Sequence, residues 1–500
     1  MDPVRTLPGG TTPPAAPRAR AAPVASVVPA GAALALGLWG IGRQNSMWRD
    51  ESVTYQVAHR SLGDLWRLLH HIDAVHGLYY LLMHAVFAGW DGGLLALRLP
   101  STVATALAAA GVGMIGARLA GTRAGTLAGL VFAVLPVIQQ YAQEGRSYAL
   151  VTAGVTWATY FLLRAVEATG PGRRWWTAYA LVLALACWLH EFAALAVVAH
   201  GLTLWWSRVP RPVWRRLSAA STAVLVSVLP LALVSAGQSG QQLGWLGRPG
   251  AAAWFDFLVI AGVGVLLCRL LAGGRAGSAP VTLTALALPL LIAPTGLLMT
   301  VSLVKPWYVD RYVLYGMVGS ALSAGAVLDR AFAERYRLAP AARALTALLL
   351  TVVAVAVLLP WSLAVRSPES RKDDVVAVVH AVERTAHTGD GVLFMPARRR
   401  EWLLSYPSVY GRLDDLALAV SPRASGTLQG VELPAADIRR HILAARRVIA
   451  LTDPAGQPLD PFPQEEVKRR TLRTDFRVCS RIEVRGARIV VYARPGHCPR

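Results

Sequence analysis

The chain has 500 residues, of which 54% are hydrophobic and 16% charged, and its mean hydropathy is +0.43. That is far more apolar surface than one globular core buries, which excludes a soluble protein. The net charge of +21 does not read as nucleic-acid binding, because the Arg residues are spread over short gaps between apolar runs rather than gathered on one face.

Residues 1–23 are rich in Pro, Ala, Thr and Arg and lack hydrophobic periodicity, the composition of a disordered cytoplasmic tail. The tail is too long and Pro-rich for a signal peptide, so the first apolar run is expected to remain as an uncleaved anchor. Apolar runs near 24–42, 97–117, 124–141, 148–165, 175–190, 192–207, 217–236, 253–271, 281–303, 312–329 and 344–364 predict about eleven spans. The longest of them cross a hydrocarbon layer of about 30 Å at 1.5 Å per helical residue. Residues 24–364 thus form a transmembrane helical domain.

Charge sets the sidedness. With Arg5, Arg18 and Arg20 in the cytoplasm, the gaps holding Arg118 and Arg123, Arg164 to Arg174, Arg208 to Arg216, Arg269 and Arg275, and Arg330 to Arg343 all fall inside. The run Gly77–Trp90 is short for a span, and counting it would invert every later gap. It is therefore read as an interfacial or re-entrant helix on the outer face. It belongs to an outer loop, 43–96, in which Leu62, Leu65, Trp66, Leu68, Leu69 and Ile72 recur at helical intervals. Ser61 followed by Asp64 fits an N-terminal capping box for that helix.

After Ala364 the composition turns soluble, and the same parity places residues 365–500 outside as an α/β domain. Residues 373–387 and 436–446 predict helices, while 391–395, 447–451, 476–478 and 489–494 predict strands. Cys187 and Cys268 sit in apolar runs as small hydrophobes. Cys479 and Cys498 flank the last strand-like runs and can meet as a disulfide if the domain is outside the cytoplasm. There is no Gly-rich phosphate fingerprint in this domain and no clear internal repeat in the chain.

Four clusters of ionisable residues converge on the outer side, where each charge near hydrocarbon costs several kcal/mol unless paired or wet. Trp48-Arg49-Asp50-Glu51 offers adjacent carboxylates for general-base chemistry, against the plainer reading of a solvated helix start. In His70-His71-Ile72-Asp73-Ala74-Val75-His76-Gly77-Leu78-Tyr79-Tyr80, residues His71, Asp73 and His76 carry metal-ligand chemistry at a spacing that matches no zinc signature. Glu144 and Arg146 lie in a hairpin too short to leave the membrane surface, either as an interfacial ion pair or as a headgroup contact. Lys305-Pro-Trp-Tyr-Val-Asp-Arg311-Tyr312 combines two cations with aromatic rings, suited to a lipid phosphate or to an ordinary aromatic belt. His190-Glu191 marks a further outer span end.

The order of these motifs resembles the GT-C glycosyltransferases, and within them the bacterial branch akin to protein O-mannosyltransferases and the lipid A aminoarabinose transferases. The resemblance covers roughly Trp48 to Tyr312. It implies a catalytic role for Asp50, with Glu51 beside it, and donor-phosphate binding by Arg146, Lys305 and Arg311 with Tyr312 nearby. Asp73, His76, Tyr80, Glu144 and His190 follow as substrate-binding residues. His76-Gly77 departs from relatives, which often have Asn or Pro before the Leu-Tyr-Tyr run.

The expectation is therefore a mainly α, multi-pass plasma-membrane enzyme that transfers mannose or a related sugar from a polyprenyl-phosphate donor to an outer acceptor. That acceptor is a protein, lipid or glycan, and Asp50 is the base of an inverting displacement. No cofactor or metal site is required, although the reading leaves room for a divalent metal. The rivals are a transporter or flippase for a lipid-linked anion, which predicts inverted repeats at the midplane, and a non-catalytic cell-envelope assembly protein.

Overall fold

The computed structural model describes residues 22–170, 172–243, 246–272, 280–335 and 340–498. Residues 1–21 of the expected N-terminal tail, Arg275 and Arg337 lie outside the described residues, while Ala22 and Pro23 open the first helix. The membrane part begins with α1 (Ala22–Leu38), followed by α2 (Arg49–Ala58), α3 (Leu62–His71) and α4 (Gly77–Gly89). Next come α5 (Gly93–Ala120), α6 (Thr122–Val134), α7 (Pro136–Ala142), α8 (Tyr148–Val166) and α9 (Arg173–Leu189). The series ends with α10 (Leu195–Trp206), α11 (Arg211–Leu243), α12 (Ala251–Leu271), α13 (Leu283–Val301), α14 (Met317–Arg335) and α15 (Pro340–Ala364).

Each expected span overlaps at least one of these helices, but the count of eleven is not reached. Among the described residues seven helices are long and apolar enough to cross a membrane, or eight if a bent pair is one span. The bent pair is α6 and α7, which meet at 66°, where Pro136 disfavours helical geometry at Leu135 and ends the first helix. The segments at 191–206 and 352–364 are apolar but shorter, and α9 stops at 17 residues with two Arg in its first turn. The protein is a multi-pass membrane protein. α4 has only 13 residues, too few for a span.

Small residues let α1, α5 and α6 approach closely. A Cβ on Gly116 would lie 2.7 Å from the Gly125 Cα, and one on Gly113 would overlap the Ala25 carbonyl. Such contacts replace the hydrophobic drive that is missing between helices in lipid. The loop expected as 43–96 is mostly helical: α3 is capped by Ser61, whose hydroxyl accepts from the Asp64 amide at 3.1 Å, as its sequence anticipated.

Beyond α15 the chain forms a strand-containing domain. Its strands are β1 (Gly391–Met395), β2 (Asp414–Asp415), β3 (Leu418–Val420), β4 (Val431–Glu432), β5 (Arg447–Thr452), β6 (Arg477–Val484) and β7 (Ala487–Ala493). Five of them make one sheet in the order β2-β1-β5-β7-β6, with β1 parallel to β2 and β5 and the other pairings antiparallel. The β6–β7 hairpin turns at Gly486, whose φ of +79° is a conformation that favours Gly. Two helices, α16 (Val375–Thr385) and α17 (Arg400–Leu404), face the membrane part. Cys479 and Cys498 are disulfide-bonded.

The domain is fixed directly to α2. The Val375 amide donates to the Met47 carbonyl at 2.7 Å and the Arg49 amide to Asp373 Oδ1 at 2.7 Å. Ser52 and Ser405 hydroxyls meet at 2.6 Å, and the Ser405 hydroxyl donates to the Ser52 carbonyl at 2.9 Å.

Candidate functional site

Before α2 the backbone makes a left-handed turn at Arg43, Gln44 and Asn45, with φ of 46°, 53° and 56°. Non-Gly residues adopt this conformation only where surrounding bonds enforce it. Here the enforcing group is Glu51. Its Oε2 accepts from Arg43 Nη2 at 2.7 Å and Arg98 Nη2 at 2.8 Å, and its Oε1 from Arg98 Nε at 2.7 Å and the Gly145 amide at 3.0 Å. Arg98 also donates to the carbonyls of Ile41 and Ser46. Burial alone would raise the Glu51 carboxyl, but Arg43 and Arg98 hold it far below the ordinary carboxylate range.

Asp50, the preceding residue, faces a different environment. It lines a cavity of about 910 Å³ together with Arg49, Asp73, His76, Arg146, His190 and Arg311. Asp50 Oδ2 is 3.6 Å from Arg311 Nη2, and Arg311 Nε donates to the Tyr148 hydroxyl at 3.0 Å. The Arg311 guanidinium also stands within 6 Å of the Trp48, Tyr148 and Tyr312 rings, at 5.7, 5.5 and 5.7 Å. These aromatic walls hold it in place without neutralising it.

Arg146 enters from the turn between α7 and α8. It donates to His76 Nε2 at 2.9 Å and Thr54 Oγ1 at 3.3 Å, while its Nε has no hydrogen-bond partner among the described residues. Because Arg can only donate, His76 Nε2 must accept, so its proton sits on Nδ1. Burial, then Arg146, pushes His76 well below the usual histidine value; burial, then Arg146 and Arg311, lowers His190 to about 3. Both rings are neutral, and their centroids are 6.1 Å apart. Asp73, raised by burial, accepts from the Tyr80 hydroxyl at 2.7 Å.

The other wall is apolar. Leu225, Val228, Leu229 and Ala232 of α11 line it, with Phe192, Leu195 and Trp307. The strand-containing domain closes the polar end with Arg398, Glu401, Leu428 and Gln429, and Glu401 Oε2 pairs with Arg49 Nε at 3.3 Å. A charged head and an apolar flank in one cavity match an amphipathic ligand.

Most of the residues singled out in the sequence meet here: Asp50, Asp73, His76, Arg146, His190, Arg311 and Tyr312 all line the cavity. Four do not. Glu51 is fully buried with both oxygens occupied by donors, so the structure puts it behind the site rather than in it. Lys305 is exposed and lines no part of the cavity. Glu144 is buried against Arg371 at 3.3 Å, and Tyr80 lies behind Asp73 and Arg146. Sequence reasoning missed Arg43, Arg98, Arg398 and Glu401. Arg98 carried a signal, being a lone cation at the start of a long apolar run. The residues of the strand-containing domain carried none. Among the described residues no three His, Cys, Asp or Glu gather in a metal-binding group.

Fold and site define a multi-pass membrane protein with a cavity that is charged at one end and apolar along one wall. Residues 76–236, about a third of the chain, match the model of the dolichyl-phosphate-mannose-protein mannosyltransferase family. Among solved structures, the fold is similar to that of ArnT from Cupriavidus metallidurans in the apo state, with a TM-score of 0.63 at 14% identity over 93% of this chain and 97% of that one. The same protein bound to undecaprenyl phosphate gives a TM-score of 0.54 at 13% identity with the same coverage. No curated protein matches the sequence. Similarity to that family is thus confined to residues 76–236, and the likeness to ArnT is one of fold.

Proposed function

We propose that the protein transfers a sugar from a polyprenyl-phosphate donor to an acceptor hydroxyl outside the cytoplasm. One observation carries this reading: Asp50 and the guanidiniums of Arg146 and Arg311 share the polar end of a cavity whose flank is the apolar face of α11. The polyprenyl chain lies along that face and its phosphate sits between the two Arg. The ArnT structure bound to undecaprenyl phosphate supports this choice of donor. Mannose or a related sugar is the proposed cargo, in line with the family match.

In the proposed reaction Asp50 accepts the proton of the acceptor hydroxyl as its oxygen bonds to the anomeric carbon. The bond from that carbon to the phosphate oxygen breaks on the opposite side, and the configuration inverts. Arg146 and Arg311 receive the charge that grows on the leaving phosphate, where a fixed donor is worth about 10²–10³ in rate. They fill this role without requiring a metal. Neutral His76 and His190 add hydrogen-bonding capacity without further positive charge.

The N-terminus is assigned to the cytoplasm, and the cavity and residues 365–500 to the outer side. The Arg-rich gaps at the far helix ends and the paired Cys479 and Cys498 support this orientation. The test is to incubate membranes containing the protein with a panel of radiolabelled polyprenyl-phosphate sugars and sort the label into protein, lipid and polymer. Label transferred from one donor identifies sugar and acceptor together. No transfer from any polyprenyl-phosphate sugar contradicts the reading.

A further inference from the structure

The cavity described above lies at one end of α8 and α9. Their other ends converge, together with the end of α5 that carries Arg118, on a second hollow of about 600 Å³, lined by Arg118, Arg164, Glu167, Arg173, Arg174 and Trp175. The helices fix its depth. Tyr148 opens α8 inside the first cavity and Arg164 stands in its last turn, while Arg173 opens α9 and His190 follows its last residue. At 1.5 Å per residue these segments measure about 25 Å, close to the hydrocarbon thickness of about 30 Å. The hollow therefore lies at the membrane face opposite the catalytic cavity.

Its chemistry is one-sided. Four guanidiniums face one carboxylate, and Glu167 is already paired with Arg118. Arg164 lies over the Trp175 ring at 4.2 Å and donates to the Tyr160 hydroxyl at 3.2 Å. Arg174 stands 4.8 Å from the same ring. Among the described residues no carboxylate pairs with Arg164, Arg173 or Arg174. Trp175 is the kind of ring that settles at headgroup level, and Arg forks match phosphate oxygens.

We propose that this hollow binds the phosphate of an anionic phospholipid from the leaflet opposite the active cavity. Basic pockets between membrane helices on the cytoplasmic side recognise such headgroups. The site takes no part in sugar transfer and does not depend on the donor proposed above. Arg211, Arg215 and Arg216, at the start of α11, line neither cavity. They provide a control for general attraction of positive charge to an anionic surface.

The test uses the full-length protein in nanodiscs of phosphatidylcholine with or without an anionic phospholipid, read by native mass spectrometry and thermal unfolding. Wild type should retain anionic lipid and unfold at a higher temperature in its presence. Arg164→Gln/Arg173→Gln/Arg174→Gln should bind it about tenfold to a hundredfold more weakly, while Arg211→Gln/Arg215→Gln/Arg216→Gln should behave as wild type. Arg173→Gln/Arg174→Gln leaves the Arg164–Trp175 stack intact; it should also weaken binding, and it serves if the triple variant fails to fold. Equal lipid responses in the hollow variants and the α11 variant overturn the proposal. So does an equal rise in unfolding temperature from inorganic phosphate added to phosphatidylcholine nanodiscs, which would assign the hollow to a free anion.

Discussion

Glu51 and Arg98 are joined through both carboxylate oxygens, at 2.7 Å to Nε and 2.8 Å to Nη2, and both side chains are fully buried. With Arg43 and the Gly145 amide in the same cluster, this one carboxylate ties α2 to α5, to the turn after α1 and to the turn that carries Arg146. It holds Asp50 and Arg146 in register without touching the cavity between them.

Glu51→Gln should therefore act through stability. It leaves two buried guanidiniums facing a neutral amide, a loss of about 3–5 kcal/mol. The sign with pH follows from the depressed carboxyl: its contribution is complete above the ordinary glutamate value of 4.5 and is lost as pH falls below it toward the folded value. Thermal unfolding of both proteins checks this. The gap between them should be constant from about pH 8 to 5 and shrink below about pH 4.

Arg311→Ala should chiefly weaken donor use. Losing a charged hydrogen bond to phosphate costs about 1.5–3 kcal/mol, so the donor KM should rise by about tenfold to a hundredfold. Arg311→Lys should recover part of that, since a point charge remains but the fork does not. Steady-state kinetics over a range of donor concentrations measure both. An unchanged donor dependence removes Arg311 from the phosphate site.

His76 and His190 should contribute no inflection to the pH dependence of transfer between about pH 5 and 8, where both are neutral when folded. Their depressed values carry a stability sign as well. The unfolded chain takes up protons below about 6.5, while His190 resists until about 3, so stability should fall as pH drops through that window. His190→Gln should reduce that slope in melting experiments carried out from pH 7 to 4.

Arg371→Ala should destabilise the protein and leave donor affinity in the surviving folded fraction unchanged. Arg371 joins the start of the strand-containing domain to Glu144 at 3.3 Å and to the Gln140 carbonyl at 2.9 Å. Removing it strands a buried carboxyl that burial already raises, at a cost of about 3 kcal/mol. Adding Glu144→Gln should recover part of the lost melting temperature, because the amide needs no counter-charge.

Much of this was legible in the sequence, for physical reasons that differ by element. Each span was marked by an apolar run, the capped helix by Ser61 and Asp64, and the central strands at 391–395 and 447–451 by short β-branched runs bounded by turn residues. What the runs could not reveal was where helices bend or stop, so one expected span became α6 and α7 around Pro136. Asp50, Arg146 and Arg311 stood out because charge near lipid needs a reason. Glu51 stood out equally, and only its partners, 8, 47 and 94 positions away, reveal that it supports the site from behind. Arg398 and Glu401 reach the cavity through domain docking, which leaves no local pattern.

The central claim is that Asp50 takes the acceptor's proton beside a phosphate held by Arg146 and Arg311. Its direct test is the Asp50→Asn protein, purified and reconstituted with the donor that wild type uses, with transfer rate and donor binding measured side by side. Asp50 is partly exposed at 23%, so the variant should fold and bind donor, while its transfer rate drops by about 10²–10⁴-fold. An Asp50→Asn protein that transfers sugar at the wild-type rate would contradict the mechanism.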